Sequence, residues 1–344
     1  MMRALPAVLW FALAHLALGG EPPLQNGPPR AGKAAPAVAG VAAALRNQWL
    51  ESTPGLAFKR LPNAKNADAP VVVLVPGLLA QNDSMHAVEQ AIASKGLSTA
   101  TFGYSSVVGI HAAAGLLADE LAKLRVVEPN RLVVLVTHSM GGLVARSCIE
   151  NAATNPGNVS GLILIAPPNR GSAAAKLSAS ELAKLFVVSR GVANADVADD
   201  GLRTIDDAIG GFFGVAKEEL CPGSIALQKL GNARPENGIK YSIIAGTGGP
   251  VRAEMVELSL LLGGIFFSDQ PDAKASLDQI APLAKADEWT SGRGDGVVSV
   301  KSARLDGVDD FVTIEFAHND FGTKTSKGSQ EAIAEVVSRI ISQD

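Results

Sequence analysis

Cysteine is scarce in this chain: of 344 residues only Cys148 and Cys221 are cysteine. That excludes a disulfide-stapled scaffold and a four-cysteine metal site. Cys148 falls in an apolar helical pattern and reads as a small buried hydrophobe rather than a reactive thiol. A Cys148–Cys221 bridge stays open for an exported chain. Positive charge is not in excess either. The formal net charge is −4 and no stretch gathers Lys and Arg into a patch, so nucleic acid is not an expected partner. Beyond the first residues there is no run of about 20 apolar side chains of the kind that spans a bilayer, and there is no internal repeat. What is abundant is apolar surface. With 47% hydrophobic residues the chain can build one large α/β domain with insertions, or two domains.

The N-terminus carries its own pattern. Met1-Met2-Arg3 is a short positive start, Leu5 to Leu18 is apolar except for His15, and Ala17-Leu18-Gly19 is a small-x-small site. These predict a secretory signal peptide over residues 1–19, and hence an exported protein, secreted or periplasmic. Gly19-Gly20-Glu21-Pro22-Pro23 follows at once, which argues for cleavage rather than anchoring, and no cysteine near the site signals lipidation. Residues 20–36 are rich in Pro, Gly and Ala and read as a linker, leaving 37–344 as the domain.

Within that domain, solid apolar runs alternate with helical patterns. Val38–Leu50 can form a helix and Ala57–Leu61 a short edge strand. Val71–Val75, Thr99–Tyr104, Leu132–Val136, Leu162–Ile165, Tyr241–Ala245 and Phe311–Phe316 read as strands, most of them without polar alternation and so buried on both faces. Between them, Asp83 or Ser84 caps a helix that stops at Gly96. Ala112–Leu124 forms another, with Leu116, Leu117, Leu121 and Leu124 inward, and a last helix covers Gln330–Ile341. The alternation predicts an α/β fold with a mostly parallel sheet flanked by helices. Two stretches break the rhythm. Residues 172–230 are Ala-rich and helical in pattern and read as an inserted cap. Residues 251–290 contain Val256–Phe267, dense in Leu, Ile and Phe, which reads either as an apolar lid and acyl-chain wall or as a core helix.

The chain is organised around Leu132–Arg146, LVVLVTHSMGGLVAR. A strand run ends in Thr137-His138-Ser139, and a helix follows, with Leu143, Val144, Ala145 and Ile149 as its inward stripe. So abrupt a junction must bend sharply at Ser139, and Gly141 and Gly142 let backbones approach closely there. The serine hydroxyl then stands clear of the sheet beside helix N-terminal amides.

This is the G-x-S-x-G nucleophile elbow with Thr137 in place of the first glycine, and HSMGGLVAR resembles the lipase and esterase members of the α/β-hydrolase superfamily. The resemblance runs from about Val71 to the C-terminus. It includes Pro167-Pro168-Asn169-Arg170-Gly171-Ser172, similar to the loop where lipases leave the sheet beside the active site. It implies the α/β-hydrolase fold with a helical cap insertion, and oxyanion-hole amides from Leu78, after Pro76-Gly77, and from Met140. It also implies a triad in the order Ser, acid, His. His15 lies in the signal peptide, His86 and His111 precede the elbow, and His138 adjoins Ser139 in the chain, so its side chain points elsewhere; His318 is the base that remains. Several carboxylates lie between Ser139 and His318. Glu315 and Asp320 sit too close to the histidine, Asp306, Asp309 and Asp310 crowd a polar turn, and Asp287 and Glu288 lie in a charged stretch. Asp295, flanked by Gly294 and Gly296 ahead of a strand-like Val297–Val300, matches the family's acid loop.

The resemblance therefore implies an exported serine ester hydrolase, lipase- or carboxylesterase-like, that forms an acyl-enzyme on Ser139 and acts on a small-molecule or lipid ester with transient contact to a lipid surface. A thioesterase, amidase or acyltransferase with the same triad is the nearest alternative, and a non-catalytic lipid-binding protein of this fold the more distant one. No cofactor is expected. Asp320 falls where some lipases hold calcium, but a loop aspartate is ordinarily solvated, and no metal is expected.

Overall fold

The computed structural model describes residues 55–59, 69–78, 84–105, 108–176, 215–232, 234–235, 238–250, 252–253, 286–322 and 326–342. Nearly all belong to one compact unit, built from Trp49–Lys176, Gly214–Pro250 and Asp287–Asp344. The other unit, Met1–Gln48, Leu177–Phe213 and Val251–Ala286, lies almost wholly outside the described residues. So do the expected signal peptide, the linker, the Val38–Leu50 helix, most of both insertions and Val256–Phe267.

A seven-stranded sheet forms the frame. Its strands are β1 (Gly55–Lys59), β2 (Val71–Val75), β3 (Thr99–Gly103), β4 (Val133–His138), β5 (Val159–Ile165), β6 (Lys240–Gly246) and β7 (Phe311–Ile314), in the order β1-β3-β2-β4-β5-β6-β7. Only the edge strand β1 runs antiparallel to its neighbour; all other pairings are parallel. The helices are α1 (His86–Ala93), α2 (Ile110–Val127), α3 (Met140–Ile149), α4 (Ile225–Leu230), α5 (Val300–Ala303) and α6 (Lys327–Ile341), and residues 215–220 are also helical.

The apolar runs become central strands because the sheet is covered on both sides. Val71, Val73, Val75, Leu135, Leu162 and Leu164 face one core, which α2 and α3 close with Leu117, Leu121 and Leu143. Val72, Leu74, Val134, Val136, Ile163 and Ile165 face a second core, closed by Val88 and Ile92 of α1 and by Val336 and Ile340 of α6. The period-2 division of one run between two cores is what a doubly covered parallel sheet requires.

The chain leaves β2 towards β3 on one side and returns to β4 on the other. Crossovers of opposite direction open a crevice at the carboxyl ends of β2 and β4, where open α/β sheets place their sites. Two polar ties fix the elements around it. Glu219 Oε2 accepts the Ile110 amide at 2.5 Å and so caps α2 from a segment 109 residues away. Arg146 of α3 is completely buried. It pairs with Glu150 at 2.8 and 3.1 Å, donates to Asn169 Oδ1 at 3.1 Å and to the Leu230 and Gly231 carbonyls at 3.1 Å each. Asn169 in turn donates to the Ala303 carbonyl at 2.8 Å. Burial is the main influence on Glu150 and pushes its carboxyl up, against the Arg146 pair and the Tyr241 hydroxyl.

Several expectations need correction. Leu132 is half-exposed and precedes β4 rather than opening it. Every residue of α3 is buried, not one stripe, because the helix is covered by α2, by α4 and by the loop carrying Asn169. Leu116 is only partly buried. The N-cap of α1 is Met85, without a side-chain cap bond, rather than Ser84, and Asp83 lies outside the described residues. Val297–Val300 is no strand: Ser299 Oγ accepts the Ser302 amide and starts α5 instead.

Candidate active site

The turn from β4 into α3 is made by one residue. Ser139 stands at φ 53°, ψ −128°, a conformation that side-chain-bearing residues rarely adopt and that costs of order 1–3 kcal/mol. Hydrogen bonds on both sides hold it there: its amide donates to the Ile165 carbonyl at 2.9 Å, and its carbonyl accepts the Gly142 amide at 2.9 Å. The glycines that follow supply room. A Cβ on Gly141 would lie 2.3 Å from the Val75 carbonyl oxygen and 2.5 Å from that of Pro76, and one on Gly142 would lie 2.8 Å from Leu164 Cδ2. Thr137 needs no such allowance. It is ordinary strand, paired with Val75 and Leu164, and its buried hydroxyl donates to the Ile163 carbonyl at 3.2 Å.

The structure brings Ser139, His318 and Asp295 together. Ser139 Oγ is 2.9 Å from His318 Nε2, and His318 Nδ1 is 2.7 Å from Asp295 Oδ2. All three residues are buried. The other carboxylate oxygen of Asp295 is occupied as well, accepting the amides of Val297 at 3.0 Å and Val298 at 2.7 Å. The Asp295 carbonyl also accepts the His318 amide at 2.8 Å, so acid loop and histidine turn are tied through main chain and side chain alike. The turn has little spare volume, since a Cβ on Gly246 would lie 2.7 Å from Asp295 Cβ. Of the carboxylates set aside, Asp306 is exposed and pairs with Arg170 at 2.9 Å, and Asp310 pairs with Arg339 at 2.7 Å.

Pro76-Gly77-Leu78 follows β2 and lies against the elbow, where a Cβ on Gly77 would be 2.9 Å from Ser139 Cβ and 3.2 Å from the His138 carbonyl. The Leu78 amide sits in this loop. The Met140 amide opens α3, where the first amides have no intrahelical acceptor. Sequence reasoning passed over Tyr104. Its buried hydroxyl donates to the Pro76 carbonyl at 2.8 Å, and burial pushes its phenol up, which keeps it a donor. The position just past β3 gave no signal beyond a strand end.

His138 is a second residue that sequence reasoning misplaced. Its side chain does not point away from the site but packs on it, with its ring centroid 4.7 Å from that of His318. Adjacent residues normally face opposite sides of a strand, but Ser139 has left strand geometry, and the alternation rule ends with β4. Of the other described histidines, His86 contacts Gln90 and Glu89, and His111 Nδ1 is 2.8 Å from Ser147 Oγ. Both thiols are free; burial pushes Cys148 up to about 12, and Cys221 Sγ reaches the Ala175 and Lys217 carbonyls. Among the described residues no group of three or more His, Cys, Asp and Glu is arranged to hold a metal, and no helix is long and apolar enough to cross a membrane.

A mostly parallel seven-stranded sheet covered by helices on both faces, with a strained serine between a central strand and its helix, is the α/β-hydrolase fold, and the chain has that fold. A family model described as the PGAP1-like alpha/beta domain matches residues 119–186, the stretch that contains β4, the elbow, α3 and β5. The chain is similar in structure to the lipase BlEst2 of Bacillus licheniformis. Against its propeptide form the TM-score is 0.52 at 17% identity, over 81% of this chain and 53% of that one, so this chain spans about half of it. The mature form gives 0.49 at 16% identity, over 83% and 97%. Phospholipase PlaB from Legionella pneumophila gives 0.40 at 15% identity, over 68% and 45%. No curated protein sequence matches the chain.

Proposed function

We propose that this protein is a serine hydrolase of carboxylic esters, working through an acyl-enzyme on Ser139. The observation that carries the reading is the unbroken hydrogen-bond path from Asp295 Oδ2 through both ring nitrogens of His318 to Ser139 Oγ, at 2.7 and 2.9 Å. A serine hydroxyl is a weak nucleophile until a base takes its proton, and the base works only in one tautomer. Asp295 selects that tautomer by accepting the Nδ1 proton, which leaves the Nε2 lone pair towards serine.

In the proposed reaction Ser139 Oγ bonds to the ester carbonyl carbon as its proton passes to His318 Nε2. Asp295 holds its negative charge against the imidazolium. The carbonyl oxygen becomes an oxyanion, met by the amides of Leu78 and Met140. The carbon–oxygen bond to the alcohol then breaks, and Nε2 returns the proton to the departing oxygen. Water, activated by the same nitrogen, attacks the acyl-enzyme and releases the acid and the free serine.

The substrate proposed is an ester with an apolar acyl chain, because Val256–Phe267, between β6 and the acid loop in sequence, concentrates Leu, Ile and Phe. Export is proposed on the pattern of Met1 to Gly19. The test is turnover of nitrophenyl esters of increasing chain length together with labelling by a fluorophosphonate. Wild type should turn over and label, whereas Ser139→Ala should do neither while its circular dichroism is unchanged. Undiminished turnover by Ser139→Ala would refute the assignment.

A further inference from the structure

His138 ends β4 one residue before the nucleophile, and the hydrogen-bond path described above does not use it. Its ring nonetheless lies beside that path. It meets the His318 ring at a centroid distance of 4.7 Å and an interplanar angle of 38°. It also stacks on Phe321 at 5.2 Å and 29°, and Phe321 meets Phe316 at 5.8 Å. His138 Nε2 is buried and has no hydrogen-bond partner among the described residues. A protonated imidazole presents two N–H donors that both need acceptors. With Nε2 unpaired, the ring that faces His318 is a neutral one, and a neutral ring presents an aromatic face.

On the reading that His318 is the base, that face has a task. When the Ser139 O–H bond breaks and the proton bonds to His318 Nε2, His318 becomes a cation, with Asp295 on its Nδ1 side and His138 on its ring face. A cation within about 6 Å of an aromatic centroid is attracted to it. A ring held on its flank also cannot swing out of line between Asp295 and Ser139. We propose that His138 is a positioning residue for His318: its neutral ring, backed by Phe321, fixes the plane of the catalytic imidazole and stabilises the imidazolium formed during turnover. Burial, chiefly, and the His318 ring hold His138 well below the ordinary imidazole value, against a backbone hydrogen bond at His318, which keeps the ring neutral through turnover.

The experiment compares the full-length wild type with His138→Phe, which keeps a ring and loses both nitrogens, and with His138→Leu, which loses the ring. Each is measured for kcat, for KM on nitrophenyl esters and for the rate of fluorophosphonate labelling of Ser139. His138→Leu should lose about tenfold in kcat and in labelling rate with KM nearly unchanged, since the contact acts on the charged base and not on bound ester. His138→Phe should recover most of that loss. The proposal is overturned if His138→Leu keeps wild-type rates, or if His138→Phe falls as far as His138→Leu. Should His138→Leu fail to fold, His138→Gln carries the same comparison. A wild type that neither labels nor turns over overturns the hydrolase reading and this role with it, whereas equal rates in wild type and both variants overturn the positioning role alone.

Discussion

Gly77 and Ser139 come from different strands and stand so close that a methyl group on the glycine would lie 2.9 Å from the serine Cβ. The approach sets the Pro76-Gly77-Leu78 loop directly against the elbow. Gly77→Ala should therefore displace one or the other. Misplacement by about 1 Å at a reacting group costs on the order of 10² in rate, and overpacking costs about 1–3 kcal/mol in stability. Gly115, in α2, has nothing within 4 Å of an added Cβ. Gly115→Ala should leave activity alone and raise stability by up to about 1 kcal/mol. Thermal melting and ester turnover of both variants check the pair.

Asp295→Asn should leave the fold intact and remove activity. The Val297 and Val298 amides claim Oδ1, so the side-chain amide oxygen of the variant stays there. Its NH₂ then faces His318 Nδ1 and demands a lone pair on it, which puts the ring proton on Nε2, towards serine. The expected loss in kcat is up to about 10⁴, by the precedent of serine proteases. Asp306→Asn, on an exposed side chain paired with Arg170, should stay within about twofold. Collapse in Asp306→Asn with near-normal kcat in Asp295→Asn would move the acid elsewhere.

Tyr104→Phe deletes the hydroxyl that holds the Pro76 carbonyl at 2.8 Å. A buried carbonyl left unpaired costs about 1–3 kcal/mol. The loop that carries the Leu78 amide loses its anchor on that side. Expected is a drop in kcat of about tenfold with little change in KM, short of the 10²–10³ lost when an oxyanion donor itself is removed. Steady-state kinetics on one short-chain ester decide it; an unchanged kcat would leave Tyr104 with a packing role only.

Stability should fall on the acid side in a way that His138 controls. In the folded protein its imidazole is held well below the ordinary value by burial first and by His318 second. The unfolded chain takes up that proton below about pH 6.5, and the folded state does not. The unfolded state thus binds more protons, so stability is full above that pH. It declines as pH drops through the window, by up to about 1.4 kcal/mol per pH unit. His138→Phe has nothing to titrate, and its urea midpoint should vary less between about pH 6.5 and 5 than that of wild type. Parallel profiles would contradict this.

The sequence by itself determined the central strands and the elbow. Runs such as Val71–Val75 and Val133–Val136 carry no polar alternation, and only a sheet covered on both faces can bury them completely. Ser139, between such a run and a helix opening with two glycines, could be singled out because strain and close approach leave a local mark in residue choice. Asp295 and His318 were singled out by the resemblance of their loops and chain order to those of α/β-hydrolases. The geometry joining them is another matter: His318 and Ser139 are 179 residues apart, and only sheet register and two loop conformations set their separation at 2.9 Å. Tertiary structure alone decided the rest. Thr137 fills the first glycine position without strain because the strand has not yet turned. Val297–Val300, strand-like in composition, bends into a turn because two of its amides serve the Asp295 carboxylate. His138 faces the site because its neighbour abandons strand geometry, and Tyr104 matters through a carbonyl 28 residues away. Local patterns record burial and turn chemistry. They do not record which distant groups meet, because that depends on how strands are ordered and which loops share one end of the sheet.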